Sequence, residues 1–205
     1  MSDLTFYTNP MSRGAIVRWM LEEVGAPYET VLLDYGTTMK APEYLAINPM
    51  GKVPAIKHGD TVVTEVAAIC ANLADAFPDA GLAPAPSDRG AYYRWLFYGA
   101  GPVEAAIMDR ALGITEIPAD KQPMVGYGNY DQVVDVLDRH AGSTEYIAGN
   151  RFTAADVYVG SHLSWGTQFG TLPKRDSFDA YLARVLIRPA AQRAKELDDA
   201  LRAEA

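Results

Sequence analysis

Several features that define common protein classes are absent from this chain. It has a single cysteine among 205 residues, Cys70, so it can form no internal disulfide and has no paired-cysteine motif for zinc or dithiol chemistry. No apolar run approaches the roughly 20 residues that a membrane-spanning helix needs. The first residues, Met1-Ser2-Asp3-Leu4, lack the basic and apolar regions of a secretory signal. We therefore expect a soluble protein of the reducing cytoplasm.

The chain also has few positively charged residues relative to its acidic ones. The chain has 18 lysines and arginines against 26 acidic residues, a formal net charge of -8. This balance argues against a nucleic acid or an anionic membrane as a partner. The three histidines, His58, His140 and His162, are dispersed along the chain and predict no metal site.

The first part of the chain alternates between strand and helix patterns. Short β-type runs are followed by apolar residues at helical spacing, with Ser12 suited to cap the first helix. The predicted strands are 4–7, 28–33, 53–57 and 61–64, and the predicted helices are 12–24 and 65–77. The order β-α-β and then β-β-α predicts a compact α/β unit of about 80 residues, with its first two strands parallel.

Beyond this unit the composition changes. A stretch from Pro78 to Pro86 is rich in proline and glycine and has no periodic pattern, which is typical of a linker. Only helical patterns follow: 88–112, 124–141, 154–169 and 177–201. The segment 99–102 should kink or interrupt the first of these helices, and Pro189 is a potential break in the last. We expect an α/β domain over 1–78, a linker over 79–87 and an all-α domain over 88–205.

The most informative stretch is Asn48-Pro49-Met50-Gly51-Lys52-Val53-Pro54. Pro54 has no N–H to give to a sheet, so it belongs at an edge or a bulge, and proline readily accepts a cis peptide bond. Such a kink leaves the N–H and C=O of Val53 free to pair with something peptide-like. The stretch therefore predicts a binding edge for a small peptide ligand.

An α/β domain with this proline, joined by a linker to an all-α domain, resembles the cytosolic glutathione S-transferase family of the bacterial type. The resemblance covers nearly the whole chain. The Pro54 stretch resembles the family's cis-proline signature, and Glu65 with its following helix resembles the γ-glutamyl-binding turn. Residues 149–156 resemble the family's N-capping box, with Thr153 as the cap, Asp156 reaching back and Phe152 as a hydrophobic staple. This implies a thioredoxin-like N-terminal domain, an all-helical C-terminal domain and a homodimer.

The resemblance also implies a glutathione site in the first domain. Val53 would pair its backbone with the cysteinyl part of the ligand, beside Pro54, and Lys52 would offer a charge to the glycyl carboxylate. Glu65 stands at a helix start, where N–H groups favour a bound carboxylate. The next residue, usually a serine in the family, is Val66 here. Only the backbone contact carries over there, so we expect weaker or differently arranged glutathione binding.

Catalysis in this family means stabilising the glutathione thiolate, because a thiol with a pKa near ~8.5 is only a few per cent ionised at pH 7. Ser12 resembles the serine of theta-like classes, and Tyr7 resembles the tyrosine of the alpha, mu and pi classes. We favour Ser12 over Tyr7, and leave open a shared role for Asn9 or Arg13, or neither. Since position 12 is not cysteine, mixed-disulfide chemistry is not expected.

Aromatic residues crowd the first predicted helix of the second domain. In the family the corresponding helix lines an apolar pocket for the electrophile, although aromatics at helical spacing are more often core residues. The residues that we expect to contact the electrophile are Trp95, Tyr98, Met108 and Trp165. Cys70 is expected to be an inert core residue.

The predicted function is conjugation of glutathione to small hydrophobic electrophiles, a detoxification reaction. Glutathione would be a co-substrate, with no further cofactor and no metal. The alternatives are a glutathione-dependent peroxidase, isomerase or dehalogenase, and a non-catalytic binding or scaffold protein that keeps the fold.

Overall fold

The computed structural model describes residues 3–114 and 116–203. The chain forms two compact units, one of Met1–Ala83 together with Ile187–Ala205, the other of Pro84–Leu186. The expectation for the start of the chain at Met1 and Ser2 lies outside the described residues.

The first unit is built on a mixed sheet with the strand order β2-β1-β3-β4. The strands are β1 Leu4–Thr8, β2 Glu29–Leu32, β3 Ala55–His58 and β4 Thr61–Thr64. β1 and β2 are parallel, whereas β3 pairs antiparallel with both β1 and β4. The predicted parallel pair is confirmed, and β3 and β4 form an antiparallel hairpin.

The helices of the first unit are α1 Gly14–Val24, α2 Pro42–Leu45, α3 Val66–Ala76 and α9 Pro189–Ala203. A 3-10 turn, Thr38–Lys40, precedes α2, and sequence reasoning predicted neither of these two elements. They are too short to show an apolar period. Ser12 lies one residue before the N-cap position of α1, which Arg13 occupies, so the predicted cap is displaced by one residue.

The start of α1 lies directly against the end of β1. A Cβ added to Gly14 would stand 2.0 Å from the Thr8 hydroxyl oxygen, so only glycine allows the two elements to approach this closely. The apolar face of α1 covers the sheet with Ile16, Val17 and Met20, all at most 1 % exposed. This packing fixes the short loop between β1 and α1.

Helix α9 packs against α1 within the first unit, whereas the sequence grouped residues 189–203 with the all-α domain. Two ion pairs join α1 to α9 and to the residue that directly precedes it. Arg18 Nε lies 3.0 Å from Asp198 Oδ1, and Arg188 Nε lies 2.7 Å from Glu23 Oε1. A helical pattern predicts that a segment forms a helix, but it does not predict against which unit the apolar face of that helix will pack.

The second unit is helical in its described residues. Its helices are α4 Gly90–Tyr98, α5 Glu104–Ala111, α6 Tyr130–Ala141, α7 Ala154–Phe169 and α8 Asp176–Val185. A π-helical turn over Gly99–Val103, containing Pro102, separates α4 from α5, which confirms the predicted interruption. α6 begins six residues later than expected, because Asn129 Oδ1 accepts the Gln132 N–H at 2.9 Å and caps the helix there.

The capping box at the start of α7 is confirmed. Asp156 Oδ2 accepts the backbone N–H of Thr153 at 2.8 Å, and Thr153 stands in the N-cap position. Phe152 packs edge-on against Tyr146, with 5.9 Å between ring centroids.

Candidate functional site

Three predicted site segments meet at one end of the sheet. The β1–β3 register places Tyr7 opposite Ala55, and the β3–β4 register places Ala55 opposite Thr64. The same end of the sheet therefore holds the loop after β1, the Val53–Pro54 bond before β3 and Glu65 after β4. Tyr7 and Val53 pack against one apolar cluster, whose buried members are Leu33, Met39, Tyr44 and Ala55.

The Val53–Pro54 peptide bond is cis, as the resemblance implied. β3 is an inner strand and not an edge strand, but Pro54 directly precedes its first residue, so no ladder bond is lost. Among the described residues, the N–H and C=O of Val53 take part in no hydrogen bond. This leaves a pair of peptide groups available to an extended ligand.

The C=O of Lys52, the residue before Val53, is held by two side-chain donors. The Lys52 C=O accepts from the Tyr44 hydroxyl at 2.6 Å and from Asn48 Nδ2 at 2.7 Å. Burial raises the pKa of Tyr44 to about 12, so its hydroxyl stays protonated and donates. Because C=O and N–H point in opposite directions across the Lys52–Val53 peptide, this clamp directs the Val53 N–H away from Tyr44.

Glu65 stands in the N-cap position of α3 with φ 65 and ψ 119, and among the described residues no other non-glycine residue has a positive φ. A left-handed conformation of this kind costs about 1–3 kcal/mol and persists only where the surroundings enforce it. The Glu65 side chain makes no capping hydrogen bond to the N-terminus of α3 in the described part of the chain. The first N–H groups of α3, beginning with that of half-buried Val66, are therefore available for an anion.

Two lysines lie near the Pro54 turn. Lys52 is exposed, and its Nζ makes no hydrogen bond or ion pair within the described residues. Lys40 Nζ instead donates to the Gly51 C=O at 2.6 Å. Lys52 is therefore available as a charge for a ligand, and Lys40 supports the turn.

Ser12 lies in the loop between β1 and α1. Its Oγ donates to the Asn9 C=O at 2.6 Å and accepts the Gly14 N–H at 2.9 Å. A hydroxyl that accepts an N–H is polarised towards donation, and a serine proton can turn from one acceptor to another.

The Tyr7 ring packs on Tyr44, with 5.7 Å between centroids and 43° between planes. Its hydroxyl has no hydrogen-bond partner among the described residues. The Tyr7 ring thus lines the candidate site, and its hydroxyl is available to a ligand. Tyr7 therefore stays a candidate for contact with the sulfur of glutathione.

Asn9 and Arg13 flank Ser12. Both ends of the Asn9 side chain are engaged within the protein: Nδ2 donates to the Leu33 C=O at 2.9 Å, and Oδ1 accepts the Met11 N–H at 2.9 Å. Asn9 therefore shapes the loop. Arg13 is exposed at the start of α1.

The residues expected to contact an electrophile have different surroundings in the second unit. Trp95 is 1 % exposed and stacks on His140 at 4.2 Å, so its ring faces are covered by protein in this structure. Tyr98 and Trp165 are half-buried, and Met108 is 39 % exposed. These three keep surface that a ligand can reach.

The second unit also holds a cavity of about 800 Å³ between α5, the following loop and the start of α6. Its walls include Asp109, Arg110, Tyr127 and Tyr130, and none of the four predicted electrophile residues lines it. Tyr127 donates to Asp109 at 2.6 Å, and this hydrogen bond to a carboxylate raises the pKa of Tyr127 to about 12.

Sequence reasoning missed Tyr44, Lys40 and Arg202, which support the site. Arg202, on α9, donates from Nη2 to the Pro10 C=O at 3.0 Å. Tyr44 and Lys40 come from elements without a periodic signal, and Arg202 is 192 positions from its partner. No local pattern could have found these contacts.

Comparison with known proteins identifies the family. The family model described as "Glutathione S-transferase, N-terminal domain" matches residues 2–75. Glutathione S-transferase GstA of Escherichia coli O157:H7 is 32% identical over 166 residues, which are 79% of this chain and 78% of that protein. Glutathione S-transferase 3 of Zea mays is 30% identical over 175 residues, 77% of this chain and 75% of that protein. The chain belongs to the glutathione S-transferase family.

A solved structure of this family agrees with the fold. The theta class glutathione S-transferase from Xanthomonas axonopodis pv. citri, with glutathione bound, has a TM-score of 0.74 and 27% sequence identity. The match covers 95% of this chain and 97% of that chain. The predicted fold, a thioredoxin-like domain and a mostly helical C-terminal region, is confirmed, as is membership of this family of enzymes.

Among the described residues, neither a candidate membrane-spanning helix nor a candidate metal-binding cluster is found. In the part of the chain that the structure describes, no helix is both long and apolar enough to cross a membrane. Over the same residues, no group of three or more His, Cys, Asp or Glu side chains could hold a metal ion. Cys70 is fully buried in the core, as expected, and burial raises the pKa of its thiol to about 12.

Proposed function

We propose that this glutathione S-transferase family member conjugates glutathione to small hydrophobic electrophiles, as in detoxification. The observation that carries the proposal is the unpaired peptide group of Val53 beside the cis Pro54, at the sheet end where Ser12 and Glu65 also lie. The bound glutathione of the theta class Xanthomonas protein supports it.

In this proposal each part of glutathione has a matching group. The cysteinyl backbone pairs with the N–H and C=O of Val53, as an added strand does. The γ-glutamyl carboxylate binds the N–H groups at the start of α3, next to Glu65. The exposed ammonium of Lys52 attracts the glycyl carboxylate.

Ser12 would stabilise the thiolate. Its proton turns from the Asn9 C=O to the ligand sulfur, while Oγ keeps the Gly14 N–H that polarises it. The thiol proton passes to solvent, and the thiolate attacks the electrophilic carbon to form a C–S bond. With an aryl halide, the electron pair of the broken carbon–halogen bond leaves with the halide. Holding both reactants in place contributes further to the rate.

The electrophile would contact Tyr98, Met108 and Trp165. Their partial exposure supports this role, whereas Trp95 is already enclosed by His140 and Tyr98. Met108→Ala should raise the KM for the electrophile and leave the KM for glutathione unchanged. An equal rise in both constants would contradict the assignment.

Paired variants test the chemistry. Removing a hydrogen bond to a charged group costs about 1.5–3 kcal/mol, so Ser12→Ala should lower kcat/KM in an aryl-halide conjugation assay by about 10- to 100-fold. It should also shift the pH profile to higher pH, because the thiol pKa rises. Tyr7→Phe should stay within about twofold of the unmodified protein. Unchanged activity in both variants would refute the assignment.

We also propose a homodimer in the cytoplasm. The support is the family resemblance and, for the compartment, a lone buried cysteine. Light scattering should give about twice the 22.3 kDa of one chain. A monomer mass would reject the dimer, and recovery outside the cytoplasmic fraction of cells would reject the compartment.

A further inference from the structure

The loop that carries Ser12 is held at the Pro10–Met11 peptide from both sides. The Pro10 C=O accepts from Arg202 Nε at 3.1 Å and from Arg202 Nη2 at 3.0 Å. The Met11 N–H on the opposite side donates to Asn9 Oδ1 at 2.9 Å. Because a trans peptide is planar and its C=O and N–H point in opposite directions, these contacts fix the orientation of the whole group.

The next peptide group is fixed in the same way. The Met11 C=O accepts from the Tyr35 hydroxyl at 3.1 Å, and the Ser12 N–H donates to the Asn9 C=O at 3.1 Å. Two successive peptide planes therefore lead into Ser12 with both of their polar ends bound. These contacts restrain the backbone that presents the Ser12 side chain.

Arg202 differs from the other partners because it comes from the far end of the chain. It lies near the end of α9, its Nη1 forms an ion pair with Asp199, and its side chain is 36% exposed. α9 itself is anchored on α1 through the Arg18–Asp198 pair. The planar guanidinium gives two parallel donors to one carbonyl, a geometry that a single ammonium cannot reproduce.

We propose that Arg202 is a positioning residue, which fixes the direction of the Ser12 hydroxyl by clamping the Pro10 carbonyl. This rests on the proposed function, since it assigns Ser12 to the thiolate. Without the clamp, the Pro10 carbonyl turns to solvent and the first peptide plane can rotate. A misplacement of about 1 Å at a catalytic group can cost up to about 100-fold in rate.

The test compares Arg202→Met with Lys195→Met. Lys195 lies on the same helix, also pairs with Asp199 and is 76% exposed, so its substitution removes the same charge without touching the loop. Hydrogen–deuterium exchange on the ligand-free protein should show the amides of Met11 and Ser12 exchanging about tenfold faster in Arg202→Met only. Exchange in Lys195→Met should match the unmodified protein.

A second readout uses glutathione. The thiol pKa in the binary complex, followed by thiolate absorbance, should rise by about one unit in Arg202→Met, and kcat should fall about tenfold with a smaller change in KM. Arg202→Lys, which retains one donor to Pro10, should be intermediate and guards against a misfolded Met variant. Lys195→Met should leave both values unchanged.

Each failure has its own signature. Unchanged amide exchange in Arg202→Met would show that the clamp does not hold the loop and would overturn the proposal. Faster exchange with an unchanged thiol pKa and kcat would overturn the positioning role. An unmodified protein that binds no glutathione would refute the proposed function and the role of Arg202 in it, while the exchange data would still report on the clamp.

Discussion

In the proposed glutathione site, single residues at the start of α3 are expected to influence the strength of ligand binding. Glu65 adopts a left-handed backbone that an ordinary side chain avoids, and this conformation turns the chain from β4 into α3. Val66 follows with an aliphatic side chain that has no hydroxyl for a carboxylate. The backbone N–H at this position is available to an anion, whereas the side chain offers no hydrogen-bond donor. The sequence revealed the residue types here, whereas the strained conformation became visible only in the fold.

The effect of Val66 can be measured directly. Val66→Thr keeps the branched shape and adds a hydroxyl, and a hydrogen bond to a charged group contributes about 1.5–3 kcal/mol. We expect glutathione to bind about tenfold tighter in isothermal titration. Val66→Ala, which loses apolar contact without gaining a hydroxyl, serves as the control and should not improve affinity. A low-micromolar dissociation constant in the unmodified protein would contradict the expected weakness.

Helix ends show how an element's boundary depends on its cap. At α6, one exposed hydrogen bond from Gln132 to Asn129 starts the helix. At α7, the fully buried Asp156 carboxylate accepts the N–H of Ile147 at 2.6 Å and the Tyr181 hydroxyl at 2.8 Å, besides that of Thr153. Burial raises the pKa of Asp156, and its hydrogen bonds oppose that rise. The second cap therefore joins three segments of the unit.

The two caps should differ in their contribution to stability. Asn129→Ala removes one exposed cap and should lower the free energy of unfolding by about 1 kcal/mol. Asp156→Ala leaves several buried donors without an acceptor, each costing about 1–3 kcal/mol, so a loss of at least about 3 kcal/mol is expected. Urea unfolding followed by circular dichroism would measure both. Equal losses would show that the buried carboxylate does not tie the segments together.

Across the whole molecule, the chain's last helix completes its first unit. The side chains of Arg18 and Asp198 are each 3% exposed, and Arg18 also donates to the Tyr28 hydroxyl at 3.2 Å and to Thr30 Oγ1 at 3.1 Å. A charge buried this deeply is costly unless it is paired. The first unit therefore depends on residues that lie more than 100 positions downstream of the rest of it.

Breaking this pair tests the dependence. Asp198→Ala leaves a buried guanidinium without its counter-ion and should lower the free energy of unfolding by about 3–5 kcal/mol. The double variant Arg18→Met with Asp198→Leu replaces both charges by apolar side chains and should recover most of that loss. Lys195→Met is the exposed control on the same helix and should not change the melting temperature. A double variant no more stable than Asp198→Ala would contradict the explanation.

The sequence by itself determined whatever depends on neighbouring residues. Turns, apolar periods and proline positions predicted the strands, the interruption at Gly99–Val103 and the capping box, because each depends on residues a few positions apart. Two local features were still predicted wrongly or missed. The short α2 has no apolar period to detect, and the N-cap of α1 is Arg13, one residue after Ser12.

Only the tertiary structure decided which distant groups meet. It grouped α9 with the first unit, enclosed Trp95 against His140, and brought Tyr44 and Arg202 to the carbonyls of Lys52 and Pro10. These contacts depend on how buried faces pack and where unpaired polar groups find partners, and neither is encoded in the spacing of residues along the chain.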